Sequence, residues 1–261
     1  MECNLSPGEI MAIVIYYHLS GYKCFKYYYQ ECILKEGLKY FPKAVSYTRF
    51  IEIKKTVNIP LYMFCFLQCR GDLTGRYYID STKLPVCDNR RIHLHKVFKS
   101  LAKRGKTSTG WFYGMKLHLV INEKGEIMSF CFSSGNVSDN NQRVNQFLFE
   151  KLSGQAYGDA GYISTELFEL LYEQGIRLLT KIRRNMKNKL ISLEQKYYLK
   201  KRSLVETVID ILKYICDLWH TRHRSIDNCF NNMLGALAAY SFFDHLPSIK
   251  PYNNKRIIEL F

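Results

Sequence analysis

The chain has 261 residues, 47% of them hydrophobic, and its 38 Lys and Arg outweigh 23 Asp and Glu, for a formal net charge of +15. That length and apolar content can bury a core of one sizeable domain plus a small one, and they exclude a disordered tail. The positive charge is spread along most of the chain and attracts polyanions, so nucleic acid is the first partner expected and an anionic membrane surface the second.

No run of about 20 apolar residues occurs, so no membrane span is expected. The front lacks a basic segment followed by an apolar one, so no signal peptide is expected. Nine cysteines stand singly. The closest pair, Cys65 and Cys69, lacks the second pair that a zinc site would want. Buried free thiols in a reducing compartment are the expectation, and they place the protein in the cytoplasm.

Residues 1–70 read as a helical region. Ser6-Pro7-Gly8-Glu9 offers a cap, a first-turn proline and an acid ahead of Ile10-Met11-Ala12-Ile13-Val14. A second helix is predicted over Cys24 to Leu38, and a third begins at Ser46-Tyr47-Thr48-Arg49-Phe50. Such short basic helices suit either a helix-turn-helix-like DNA reader or a helical cap on the rest of the chain. From residue 71 to 261 a second domain is expected. Tyr77-Tyr78-Ile79 form a first strand that ends at Asp80. Trp111 to Asn122 and Ile127 to Phe132 form a hairpin around Glu123-Lys124-Gly125-Glu126. Ser138 is expected to cap a helix carrying Val144, Phe147, Leu148 and Leu152, closed by Gly154. Ala156-Tyr157-Gly158 make a fourth strand ending in Asp159. Ser164 caps a helix from Leu167 to Gln174, stopped by Gly175. Ile176 to Ile182 form a fifth strand, and a long helix covers about Arg202 to Leu218. Three consecutive strands followed by alternation is the order of an α/β ribonuclease H-like fold, a mixed sheet flanked by helices.

Metal-assisted phosphoryl transfer asks side chains mainly to place two Mg²⁺ ions about 3.5–4 Å apart, and carboxylates at the ends of rigid elements do that. Asp80, Asp159 and Glu206 fit this description. On the last helix Leu204, Val208, Ile211 and Ile215 make an apolar face, widened by Val205, Ile209 and Leu212. Arg202, Glu206, Asp210 and Lys213 fall on the opposite stripe. By spacing alone the three acids could equally be turn, cap or solvated-face residues. The densest basic run, residues 89–106, carries Arg90, Arg91, His93, His95, Lys96, Lys99, Lys103, Arg104 and Lys106, and suits DNA phosphates or a solvated helix. His93 with His95, and His220 with His223, lack the remaining ligands of a metal site. Lys116 and His118 share one strand face, alternating with Met115 and Leu117.

Tyr78-Ile79-Asp80-Ser81-Thr82 resembles the first-Asp motif of bacterial insertion-sequence DDE transposases. Gly110-Trp111-Phe112-Tyr113-Gly114-Met115-Lys116-Leu117-His118 is similar to the family's next strand. Tyr157-Gly158-Asp159-Ala160-Gly161-Tyr162 resembles the second-Asp motif. Thr180-Lys181-Ile182-Arg183-Arg184-Asn185-Met186-Lys187 is similar to the fifth strand and its exit. Arg202, Glu206 and Lys213 match the spacing around the last acid, and His223-Arg224-Ser225 and Ala238-Ala239-Tyr240-Ser241 are similar too. The resemblance is closest to the insertion sequence nine-eight-two group and extends to Phe25-Lys26 near the front.

The resemblance implies a catalytic triad of Asp80, Asp159 and Glu206 holding two Mg²⁺, for which Mn²⁺ can substitute. It also implies DNA contacts from Arg202 and Lys213, to which Lys96, Lys99, Lys103 and Arg104 are added from the basic run. The implied reaction is cut-and-paste transposition on double-stranded DNA, with recognition of terminal inverted repeats and a homodimer at synapsis. The alternatives are an inactive transposase-derived DNA-binding protein and a nuclease of the same fold. A Tyr expected three residues before Arg202 is replaced by Leu199, with Tyr198 adjacent. Further residues would be expected upstream of Leu5-Ser6-Pro7-Gly8-Glu9.

Overall fold

The computed structural model describes residues 5–181, 186, 190–219 and 223–252. The helices in chain order are α1 Pro7–Leu19, α2 Phe25–Tyr28, α3 Tyr47–Ile53, α4 Asn58–Leu67, α5 Gln142–Phe149, α6 Thr165–Glu173, α7 Leu193–Lys200, α8 Ser203–Asp210 and α9 Ile226–Tyr240. The strands are β1 Arg76–Cys87, β2 Lys103–Thr107, β3 Gly110–Asn122, β4 Ile127–Ser134, β5 Gly154–Gly158 and β6 Ile176–Thr180. Two compact units interleave along the chain. One gathers Met1–Arg70, Leu84–Met115 and Ile209–Asp244, and the other Gly71–Lys83, Lys116–Val208 and His245–Phe261.

The first unit is mostly helical. Ser6 and Glu9 close a reciprocal cap at α1, the Ser6 hydroxyl accepting from the Glu9 N–H at 3.2 Å and the Glu9 carboxylate accepting from the Ser6 N–H at 2.7 Å. α2 runs straight into a π-helical stretch, Tyr29–Glu36, and a 3₁₀ turn, Gly37–Lys39, so the second predicted helix is present with a widened middle. Ser46 caps α3 as expected. α9 packs against α1 and α4 and is buried along most of its length, from Asn231 to Tyr240. Asn231 survives there because its amide donates to the Lys54 carbonyl at 2.9 Å and to Asn58 at 3.0 Å. β2 pairs antiparallel with the front of β3, Lys103 opposite Gly114 and Lys106 opposite Trp111. Gly114 is required by close approach, since a Cβ there would lie 2.1 Å from the Leu84 carbonyl oxygen.

The second unit holds the ribonuclease H-like mixed sheet and its flanking helices. β5 pairs parallel with β1 and β6 parallel with β5. β3 lies on the other side of β1, and β4 returns beside β3. Its core gathers Tyr77, Ile79, Val120, Leu148, Phe149, Ala156, Tyr162, Leu167, Leu171 and Leu178. α5 and α6 pack on each other, α5 on β4 and α6 on β6.

Several expectations are corrected. β1 does not end at Asp80 but runs on to Cys87. β2 lies inside the basic run; its side chains show no apolar alternation, so its pairing rests on backbone hydrogen bonds that periodicity cannot reveal. α5 is capped by Asn141, not Ser138, because residues 138–141 close a turn of their own, with the Asn141 N–H donating to the Ser138 carbonyl at 3.2 Å. The late helix is shorter than expected, α8 giving way to a π-helical turn at Ile211–Ile215. β6 ends at Thr180, so the predicted strand stops short of Lys181, and Ile182, Arg183, Arg184, Asn185 and Lys187 lie outside the described residues. α7 and α9 were not anticipated.

Candidate active site

The backbone brings the segments that lead to Asp80 and Asp159 into one ladder. β1 and β5 run in parallel register, Arg76 with Gln155, Tyr77 with Ala156 and Tyr78 with Tyr157. The rings of Tyr78 and Tyr157 stack at 5.3 Å, so these partners point to the same face of the sheet. Side chains two residues apart in a strand share a face. Asp80 lies two residues beyond Tyr78 within β1, whereas Asp159 follows the end of β5 as the cap of the 3₁₀ turn Ala160–Tyr162, and its charge bears on Asp80.

The third acid is joined to the first by an arginine. Arg202 donates from Nη2 to Oε1 of Glu206 at 2.5 Å, and its Nη1 lies 3.5 Å from Oδ2 of Asp80. The Arg202 side chain is 13% exposed and Asp80 20%, while Glu206 is 51% exposed, so the pair to Glu206 is solvated and that to Asp80 is screened less. Burial pushes the Asp80 carboxyl up to about 6, against the pull of the Ser81 N–H and Arg202, and the charges of Asp159 and Glu206 push it further. Asp159 itself accepts from the Gly161 N–H at 2.7 Å.

A fourth carboxylate was missed in the sequence. The Ser81 hydroxyl donates to Oδ1 of Asp139 at 2.6 Å, and Nζ of Lys116 donates to the same oxygen at 2.9 Å. Lys116 is buried, its side chain 7% exposed, so Asp139 neutralises a cation withdrawn from water. Asn145 fixes the backbone beneath by donating to the Asp139 carbonyl at 2.9 Å. A Cβ on Gly161 would lie 2.9 Å from Oδ1 of Asp159 and 3.6 Å from Oδ2 of Asp139, so both carboxylates approach this glycine. Tyr162 is wholly buried beside them. Its hydroxyl has no hydrogen-bond partner among the described residues, and burial together with the charges of Asp80, Asp139 and Asp159 pushes it well above the usual phenol range. Asp139 sits in a run of cap-type residues, Ser138-Asp139-Asn140-Asn141, which disguised it as an ordinary first-turn acid. Lys116, alternating with Met115 and Leu117, was the available signal.

A family model for the transposase DDE domain matches residues 70–226. The chain belongs to the DDE transposase family. No curated protein matches it. The matched span of this DDE transposase contains Asp80, Asp159, Arg202 and Glu206, and also Lys116 and Asp139.

The family generally uses divalent metals. The donors here suit a hard divalent cation, being carboxylates with no thiolate or imidazole among them. The Asp80 carboxyl is raised chiefly by burial, and the charges of Asp159 and Glu206 add to that rise. Among the described residues no three His, Cys, Asp or Glu side chains stand close enough together to hold an ion. Glu206 is hydrogen-bonded to Arg202.

The remaining predicted residues of this DDE transposase fall in the first unit. Lys96 and Lys99 are exposed after the 3₁₀ turn Asn89–Leu94, and Lys103 and Arg104 are exposed on β2. Lys213 lies in the π-helical turn, its ammonium 5.0 Å from the centre of the Trp219 ring. The His95 ring stacks on Phe98 at 5.6 Å. His220 lies outside the described residues. Among those residues no helix is long and apolar enough to cross a membrane.

His118 shares the buried face with Lys116. One ring nitrogen lies 2.8 Å from the Ser133 hydroxyl. Burial lowers its ionisation to about 4, so the ring is neutral near pH 7.

Proposed function

We propose that this chain is an active transposase of the insertion sequence nine-eight-two group that cuts DNA at element ends and joins the freed end to target DNA. Asp80, Asp159 and Glu206 are its catalytic carboxylates. The observation that carries the reading is Arg202, held between Asp80 and Glu206, while the charge of Asp159 bears on Asp80. Water first attacks a phosphodiester at the element end and frees a 3′-OH. That 3′-OH then attacks the target strand. Two Mg²⁺ ions, or Mn²⁺ in their place, supply activation of the attacking oxygen and stabilisation of the leaving one when bound.

The chain's own residues would hold, orient and neutralise. Asp80 presents its carboxylate from β1 and Asp159 from the turn that follows β5. Glu206 completes the set once its carboxylate leaves the Arg202 guanidinium. Arg202 then faces the phosphate with a fork of donors suited to phosphate oxygens. Its Nε is buried without a hydrogen-bond partner among the described residues. Asp139 and Lys116 brace Ser81, whose N–H holds Asp80. Lys213, Lys96, Lys99, Lys103 and Arg104 serve as phosphate contacts, the N-terminal helices as a reader of terminal inverted repeats, and a homodimer as the synaptic form.

The test is cleavage of element-end DNA with Mg²⁺ or Mn²⁺. Asp159→Asn and Glu206→Gln should each abolish cleavage while leaving DNA affinity intact. Normal cleavage by either variant would remove that residue from the triad. Joining of the freed end to a second duplex separates a transposase from a nuclease of the same fold. Binding without any cleavage by the unaltered chain would make it an inactive, transposase-derived DNA-binding protein.

A further inference from the structure

Trp111 stands out on the first unit because it is 63% exposed at the start of a strand whose following residues, Phe112 to Ile121, are all buried. Exposure of a single aromatic side chain is ordinary, and it is the surroundings of Trp111 that set it apart. β2 supplies the surroundings. Lys106 is paired with Trp111 and Arg104 with Tyr113, so Arg104, Lys106 and Trp111 share one face of the two-stranded ribbon. The Lys106 ammonium stands 5.7 Å from the centre of the Trp111 ring. Arg104 and Trp111, with Asn89 and Ile92, line an open pocket of about 300 Å³. The Asn89 side-chain amide donates to the Trp111 carbonyl at 2.7 Å, tying the far wall to the ring's own backbone.

The chemistry of this pocket is specific in sign. Between Asn89 and Asn122 the sequence has no acidic residue, and from Arg90 to Lys106 it carries seven Lys and Arg. A flat aromatic face flanked by the cations Arg104 and Lys106 is matched by a planar ring carried on a polyanion. We propose that Trp111 is a stacking platform for an unpaired nucleobase of DNA, with Arg104 and Lys106 gripping the flanking phosphates. A Trp face accepts any base, and an amide such as that of Asn89 can read a base edge. This rests on the DNA-processing reading above and adds to it a site for single-stranded or locally unpaired DNA. A protein ligand is the other class of occupant for an exposed Trp, but seven cations with no acid suit it less.

The test uses the full chain and labelled oligonucleotides of one sequence, single-stranded and duplex, without metal. Tryptophan emission should fall on binding the single strand, and most of that fall should vanish in Trp111→Phe, which keeps Trp219. Trp111→Ala should weaken single-strand binding about 5-fold or more, with duplex binding changed less than about 2-fold. Trp111→Phe should restore most of the affinity, because a ring still stacks. Equal losses on both DNA forms, or none on the single strand, would overturn the platform while leaving the DNA reading intact. Failure of the unaltered chain to bind either form would overturn both. If Trp111→Ala instead abolished self-association in sedimentation and left single-strand affinity unchanged, the face would be a protein interface.

Discussion

Asp80→Asn separates the chemistry of the site from its stability. In the folded chain the Asp80 carboxyl is raised from 3.8 to about 6, chiefly by burial. A carboxyl raised in this way contributes stability that is present below its unfolded value and lost as pH rises through its folded value. Above pH 6 the ionised group therefore strains the fold, by about 3 kcal/mol at about 1.4 kcal/mol per pH unit. Asn keeps an oxygen for the Ser81 N–H and removes the charge, so it should recover roughly 1–3 kcal/mol near pH 7.5. For a chain of this length that is about 2–12 °C in Tm. The gain should fall to about 0.2 kcal/mol near pH 3.5, where Asp80 is protonated in the folded chain and mostly protonated in the unfolded one. Paired thermal melts at the two pH values measure it directly. Mg²⁺ should raise the Tm of the unaltered chain and do less for Asp80→Asn, which also loses cleavage. A variant that is less stable at pH 7.5, or equally stabilised at both pH values, would refute the claim that Asp80 is held ionised against its surroundings.

Two further outcomes follow from the buried face beside it. Lys116 is more deeply buried than its partner Asp139, so Asp139→Asn, which strands the ammonium, should cost about 3 kcal/mol or more, and Lys116→Met should cost less. Urea midpoints rank the two, and the reverse ranking would mean that Asp139 does not serve to hold Lys116. His118 is lowered to about 4, so its contribution is complete above pH 6.5 and is lost as pH falls towards 4, by up to about 3 kcal/mol. Because Asp80 acts with the opposite sign in that window, the comparison belongs in the Asp80→Asn background. There, His118→Gln should flatten the acid decline, and an unchanged decline would place its cause elsewhere.

Much of the local structure was legible. Ser6 with Glu9, Ser46 and Ser164 each announced a helix start, because caps are settled by hydrogen bonds within a few residues. The spacing of Arg202 and Glu206 put them on one helix stripe for the same reason, although their ion pair was not expected. β2 was not legible, since an edge strand of Lys, Arg and Gly has no buried face to advertise. α9 was missed although it is strongly buried. Its second half, Met233 to Tyr240, is apolar on every side, and its first half carries Asp227, Asn228, Asn231 and Asn232, so no amphipathic stripe runs its length.

The sequence by itself determined the alternation of strands and helices, the three acids that the family resemblance joins, and the cationic surface offered to a polyanion. Tertiary structure alone decided that Asp80 lies inside a strand, that the charge of Asp159 bears on it, and that Asp139 reaches Ser81 beside it. The hydrogen bond from Ser81 to Asp139 spans 58 residues and that from Lys116 to Asp139 spans 23. Contacts of that range depend on how strands pair and where a turn closes. Those outcomes come from burying many side chains at once, so no short window of sequence contains them.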